Sequence, residues 1–111
     1  MNGNTNMTVI GVDLAKNVFQ VHYVDEETGE IINKALSRKK FESFFENRPP
    51  CLIGMEACGG SHFWARKFIK LGHQVRVMPT TDVKAFNAGN KSDARDARAI
   101  WMATKASVTR E

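Results

Sequence analysis

Cys51-Leu52-Ile53-Gly54-Met55-Glu56, followed by Ala57-Cys58-Gly59-Gly60, is the stretch that decides how this chain folds. It is a short, nearly continuous apolar run that ends in a carboxylate, the pattern of a strand covered on both faces. The glycine pair supplies a turn, and a helical pattern follows. From Ser61 to Leu71, the residues Trp64, Ala65, Phe68 and Leu71 fall on one stripe, and Gly72 is well placed to stop the helix. His73 to Met78 reads as a further strand ending at Pro79. Thr80 or Thr81 is expected to cap a short helix to Asn87, and Ala88-Gly89-Asn90 breaks it. A last helix starts near Ser92 and continues to about Ser107, with Asp93, Asp96, Ala97, Ile100 and Thr104 down one side.

Upstream the rhythm differs. Thr8-Val9-Ile10-Gly11-Val12-Asp13-Leu14 is a similar buried-strand run carrying a carboxylate near its end. Val18 to Val24 is rich in β-branched and aromatic residues, and Asp25-Glu26-Glu27-Thr28-Gly29 turns the chain into a third strand over Glu30 to Leu36. These three form an antiparallel meander. Ser37 is suited to cap a helix whose Phe41, Phe44 and Phe45 share a face, and Asn47 to Pro50 end it. Strand and helix then alternate, which implies an α/β fold with a five-stranded mixed sheet and helices on both faces. Right-handed crossovers after the meander set the first strand beside the fourth, giving the order 3-2-1-4-5. Ligands in such sheets sit at the carboxyl ends of the strands where the order reverses.

The chain has 111 residues, enough for one domain, here expected over 8–111 with a disordered tail at 1–7. Hydrophobic residues make up 42% and charged residues 25%, with only three Pro, which excludes wholesale disorder. The formal net charge of +4 suits a polyanionic partner without establishing one. Cys51 and Cys58 lie at no zinc-ligand spacing and read as reduced thiols of a cytoplasmic protein. The start of the chain lacks a secretory signal, and no apolar run approaches the roughly 20 residues that span a bilayer, so no membrane role is expected.

Asp13 and Glu56 close two strands that the topology makes neighbours, and both follow runs too apolar to be surface decoration. Asp93 and Asp96 are three apart at the start of a helix, so they share a face, where the helix dipole favours them. Packing that helix through Ala97 and Ile100 brings all four carboxylates into one cleft. Like charges gathered there repel, and partial burial adds a desolvation penalty, so a cation is needed between them. Oxygen-seeking Mg²⁺ or Mn²⁺ matches such a donor set better than zinc. Two such ions about 3.5 to 4 Å apart suit in-line phosphoryl displacement, as in a nuclease or strand transferase. Taken singly, each acid has a plainer reading as a cap, a turn former or a partner of a nearby Arg, and only the conjunction points to chemistry. Lys16, Lys91, Arg95 and Arg98 lie nearest the cleft and are the expected nucleic-acid contacts. Arg38-Lys39-Lys40 and Arg66-Lys67 with Lys70 read as solvated faces. Trp64 and Trp101 are expected in the core, and His22, His62 and His73 form no triad with Ser and Asp.

Three blocks match a known pattern: Gly11-Val12-Asp13-Leu14-Ala15-Lys16, Gly54-Met55-Glu56-Ala57-Cys58-Gly59-Gly60, and the run from Lys91 to Ile100. Together they resemble the amino-terminal domain of the DEDD transposases of insertion-sequence family one hundred and ten, which includes the Piv-type DNA invertases. The likeness runs from about Val9 to Ala103. It implies a ribonuclease-H-like (RuvC-like) fold and maps the family's acidic tetrad onto Asp13, Glu56, Asp93 and Asp96. In that family these acids bind divalent metal and support DNA cleavage and strand transfer in transposition or site-specific recombination. Some members are guided by an RNA. Ser92 stands where the family often has Asn or Thr, a departure that still permits a cap. Family members continue into a carboxyl-terminal domain with a nucleophilic serine, so this chain is expected to be the isolated amino-terminal domain of a bacterial, nucleoid-associated protein. DNA, that serine domain, a guide RNA and a second copy of the chain are the partners implied.

The chief alternative is a self-sufficient ribonuclease-H-like nuclease or Holliday-junction resolvase, which needs no serine domain. A phosphate-binding fragment of an actin-like or sugar-kinase ATPase is a weaker one, because Gly59-Gly60 is a poor phosphate loop. A nucleic-acid-binding module with vestigial acids is the non-enzymatic reading, and failure to bind Mg²⁺ or Mn²⁺ would favour it.

Overall fold

The computed structural model describes residues 7–15, 17–87, 89 and 92–109. Its elements run β1 (Val9–Leu14), β2 (Phe19–Val24), β3 (Ile31–Leu36), α1 (Arg38–Glu46), β4 (Leu52–Glu56), α2 (Ser61–Lys70), β5 (Gln74–Met78), α3 (Thr80–Lys84) and α4 (Asp93–Thr109). The sheet order is β3-β2-β1-β4-β5, as the meander and the two crossovers require. β1 pairs antiparallel with β2 and parallel with β4, so the strand order reverses between β1 and β4.

Strand side chains alternate between faces, and the alternation divides the molecule into two unlike layers. Ile10, Val12, Val21, Tyr23, Ile53 and Met55 meet α1 and α2 in one core with Phe41, Phe45, Trp64 and Phe68. Aromatic rings dominate this layer. Phe19 stacks on Phe41 at 4.5 Å between centroids, Phe41 meets Trp64 edge-on at 4.9 Å, and Phe45 meets Phe68 at 4.6 Å. Lys67 of α2 pairs with Glu42 of α1, and the hydrogen bond holds the Glu42 carboxyl below its ordinary range. His73, just before β5, is buried and ties the entry to β4 to the end of α1: its Nδ1 accepts from the Cys51 N–H at 3.2 Å, and its Nε2 donates to the Phe45 carbonyl at 2.9 Å. Cys51 and Cys58 are both free, and burial pushes the Cys51 thiol up to about 12.

The opposite face carries Gly11 and Gly54, paired across β1 and β4, and there α4 crosses the sheet. A Cβ on Gly11 would lie 2.5 Å from the Trp101 backbone N and 2.6 Å from the Ala97 carbonyl O. One on Gly54 would collide with the Thr104 side chain, whose hydroxyl instead donates to the Ile100 carbonyl at 2.6 Å. The missing side chains let α4 come close, and its Ala97, Ala99, Ile100, Ala103 and Thr104 are buried.

Ser37 caps α1 by accepting from the Lys40 N–H at 3.3 Å, and Gly72, at φ 95°, ends α2. Four expectations are corrected in detail. Neither Thr80 nor Thr81 caps α3: Pro79 holds the cap position with no side-chain bond. The short helix stops at Lys84 rather than Asn87, because the Phe86 and Asn87 N–H groups reach back three residues, to Val83 and Lys84, in tighter turns. Leu71, at the end of the α2 stripe, is exposed. Trp64 is a core residue as expected, whereas Trp101 is only half-buried, lying beside His22 with Lys105 over its ring. Of the expected tail at 1–7, only Met7 lies within the described residues. No helix among the described residues is long and apolar enough to cross a membrane.

Candidate metal centre

Asp13 leaves the sheet on the same face as Gly11, two residues earlier, and so points toward α4. The register that pairs Val12 with Met55 sets Asp13 alongside Glu56 at the next position. α4 begins directly above. Ser92 supports its first turn: its carbonyl accepts from the Asp96 N–H at 2.8 Å and its hydroxyl from the Arg95 N–H at 3.2 Å. With α4 drawn onto Gly11 through Ala97 and Trp101, the first turn places Asp93 and Asp96 over Asp13. Carboxylate oxygens of Asp13, Asp93 and Asp96 all lie within 4.8 Å of one another.

Burial and the charges of Asp96, Asp93 and Glu56 raise the Asp13 carboxyl from 3.8 to about 7, and a hydrogen bond to Asp93 adds to the effect. Without a cation the group is thus held protonated at the edge of neutrality. Asp96 is further held by Asn87, whose Nδ2 donates to its Oδ1 at 2.5 Å. Oxygen donors alone, several of them, in a partly open position fit a hard divalent cation and not a thiolate-seeking metal.

Glu56 stands outside the group of three. It lines a cavity of about 150 Å³ together with Thr80, Lys84, Asn87 and Asp96, so it reaches the same cleft from the β4 side. Arg95 and Arg98 are exposed on α4, and burial, with the nearby charge of Arg98, lowers the basicity of His22. Lys16 and Lys91 lie outside the described residues. Lys84 lines the cleft beside Glu56 and was not among the expected contacts, because nothing in the α3 segment marks which way it faces. Asn87 and Asn33 were also missed; a β-averse Asn inside Ile31–Leu36 was the only signal for the second.

A family profile described as transposase, that of the IS110-type DEDD proteins, matches residues 10–109. A probable family 20 transposase of Pseudomonas aeruginosa is 48% identical over 98 residues, which are 88% of this chain and 29% of that protein. The transposase for insertion sequence element IS1328 of Yersinia enterocolitica is 41% identical over 99 residues, 89% of this chain and 30% of that protein. The chain therefore spans less than a third of the length of these relatives. Among solved structures, RuvC of T. thermophilus in complex with a Holliday junction substrate matches with a TM-score of 0.63, covering 95% of this chain and 96% of that one. At 13% identity this likeness shows the RuvC-like fold alone.

Proposed function

The chain belongs to the IS110-type transposase family, whose profile spans nearly all of its described residues, and from that premise we propose that it is the metal-dependent DNA-cleaving domain of a transposase or site-specific recombinase. The observation that carries this reading is the gathering of Asp13, Asp93 and Asp96 within 4.8 Å at the carboxyl end of β1, where the strand order reverses. Asp13, Asp93 and Asp96, with Glu56 from the neighbouring strand, are the proposed holders of Mg²⁺ or Mn²⁺ in two positions. A bound divalent cation supplies positive charge against a phosphodiester oxygen and lowers the pKa of a coordinated water.

The chain's own residues hold that cleft in shape. β1 and β4 fix Asp13 and Glu56 through backbone pairing, while α4 presents Asp93 and Asp96 as one rigid turn. Lys84 at the cleft wall, with Arg95 and Arg98 along α4, offers positive charge to a DNA backbone. Strand transfer, the second serine-bearing domain, an RNA guide and assembly with a second copy extend the proposal to the longer protein that such relatives represent. A resolvase reading rests on fold likeness alone.

Calorimetric titration of Mn²⁺ into the chain tests the centre. Wild type should bind at sub-millimolar metal, and Asp93→Ala should bind about tenfold more weakly or worse, as loss of one ligand from a hard-cation site does. Absence of any Mn²⁺ binding by wild type at millimolar metal would remove the reading.

A further inference from the structure

Gln20, His22 and Asn33 form a polar set on the α4 face of the sheet, with Gln20 and His22 opposite Asp13 and Gly11 of β1. Gln20 and His22 are buried on β2, and Asn33 stands opposite His22 on the edge strand β3. The Asn33 amide is engaged at both ends. Its Oδ1 accepts from Gln20 Nε2 at 2.7 Å, and its Nδ2 donates both to His22 Nδ1 at 2.8 Å and to the Ala94 carbonyl at 2.9 Å.

A carbonyl oxygen only accepts, so the Ala94 contact fixes which end of the amide faces α4. His22 Nδ1 must then be the acceptor, which makes the ring neutral with its proton on Nε2. That ring is also held from the side by Trp101, at 5.0 Å between centroids. Two buried side chains of β2 thus orient one amide of β3, and the carbonyl it donates to belongs to the residue directly after Asp93 and two before Asp96. Ala97 and Trp101 seat the middle of α4 on Gly11, whereas its first turn, at the end where helices fray, is held by Ser92 at its start, by Asn87 on Asp96 and by Asn33 from the sheet. Among the described residues, Asn33 is the side chain of the meander that hydrogen-bonds to this turn.

We infer that Asn33, oriented by Gln20 and His22, is a positioning residue that ties the first turn of α4 to the β-meander and thereby holds Asp93 and Asp96 over Asp13. The inference rests on the reading of these acids as a cation site. Asn33 touches neither the carboxylates nor the cleft; it acts through the Ala94 backbone. Its place on an exposed edge strand means that replacing it opens no core cavity, so variants should fold.

The test compares Asn33→Ala and Asn33→Leu with wild type by hydrogen exchange and by Mn²⁺ titration. Leu keeps the branched shape and comparable size while removing every hydrogen bond, which separates lost bonding from lost volume. Both variants should exchange the amides of Asp96 and Ala97 about tenfold faster, with those of Ala103 to Ser107 unchanged, and should bind Mn²⁺ about fivefold more weakly or worse. Unchanged exchange at the first turn would overturn the tether. Faster exchange with wild-type Mn²⁺ affinity would overturn the positioning role. Failure of wild type itself to bind Mn²⁺ would overturn the cation reading and the positioning role with it, an outcome the wild-type titration identifies by itself.

Discussion

Asp13 is an acid placed where burial and then its acidic neighbours disfavour its charge, and its proton reports that conflict. In the folded, cation-free chain it ionises at about 7 rather than 3.8, so between those values the folded state holds a proton that the unfolded state has lost. Stability must then fall as pH rises through this window, the reverse of the usual behaviour of a salt-bridged carboxylate. Asp13→Asn removes the effect. Since Asp13 is only half-buried, solvent discounts the gain, and the variant should exceed wild type by on the order of 1 kcal/mol at pH 8 in chelator, with little difference near pH 4. Urea unfolding at the two pH values checks this, and a variant less stable than wild type at pH 8 would contradict it. The same change should abolish metal-dependent cleavage in the full-length protein. Asp13 and Glu56 were legible in sequence because a carboxylate ending an apolar strand is conspicuous. Asn33, Asn87 and Lys84 were not, because their roles depend on which element lies across from them, and no local pattern encodes that.

The elements were legible to the extent that each is defined by its own periodicity. Five strands and the long helices follow from apolar spacing, and their order follows from handedness. The closeness of α4 to the sheet does not follow, because Gly11 and Gly54 look like ordinary interruptions of a strand until the helix above them is seen. Gly11→Ala is the sharpest probe of that contact. The new methyl would meet backbone atoms at 2.5 and 2.6 Å, which cannot rotate away, so α4 must lift. Overpacking of this kind costs about 1–3 kcal/mol, or roughly 5–20 °C in Tm for a domain of this size. Because the lift moves Asp93 and Asp96, Mn²⁺ affinity should fall as well. Gly59→Ala serves as the control: nothing lies within 4 Å of its added Cβ, and thermal melting and Mn²⁺ affinity should both stay at wild-type values.

At the scale of the whole molecule the sheet separates adhesion from chemistry. The α1–α2 layer holds most of the large rings, and the α4 layer holds the paired glycines, the small residues of the helix and the acids, with Trp101 at its edge beside His22. Phe41→Ala should therefore destabilise the chain by about 3–5 kcal/mol in urea unfolding, since the ring is fully buried among Phe19, Phe45, Trp64 and Phe68. In whatever fraction remains folded, Mn²⁺ affinity should be unchanged, because none of these rings touches the acidic turn. A loss of affinity matching that of Gly11→Ala would show that the two layers are mechanically joined.

The two layers differ in how much mutational drift they can absorb. Bulky hydrophobic side chains can trade volume with one another, so the ring layer has many workable compositions. The glycine seam has no such latitude, because the helix backbone already fills the space over Gly11 and the Thr104 side chain that over Gly54. A lineage of such proteins could change most of its interior and still keep its acids in place, provided that two positions without side chains never acquire one.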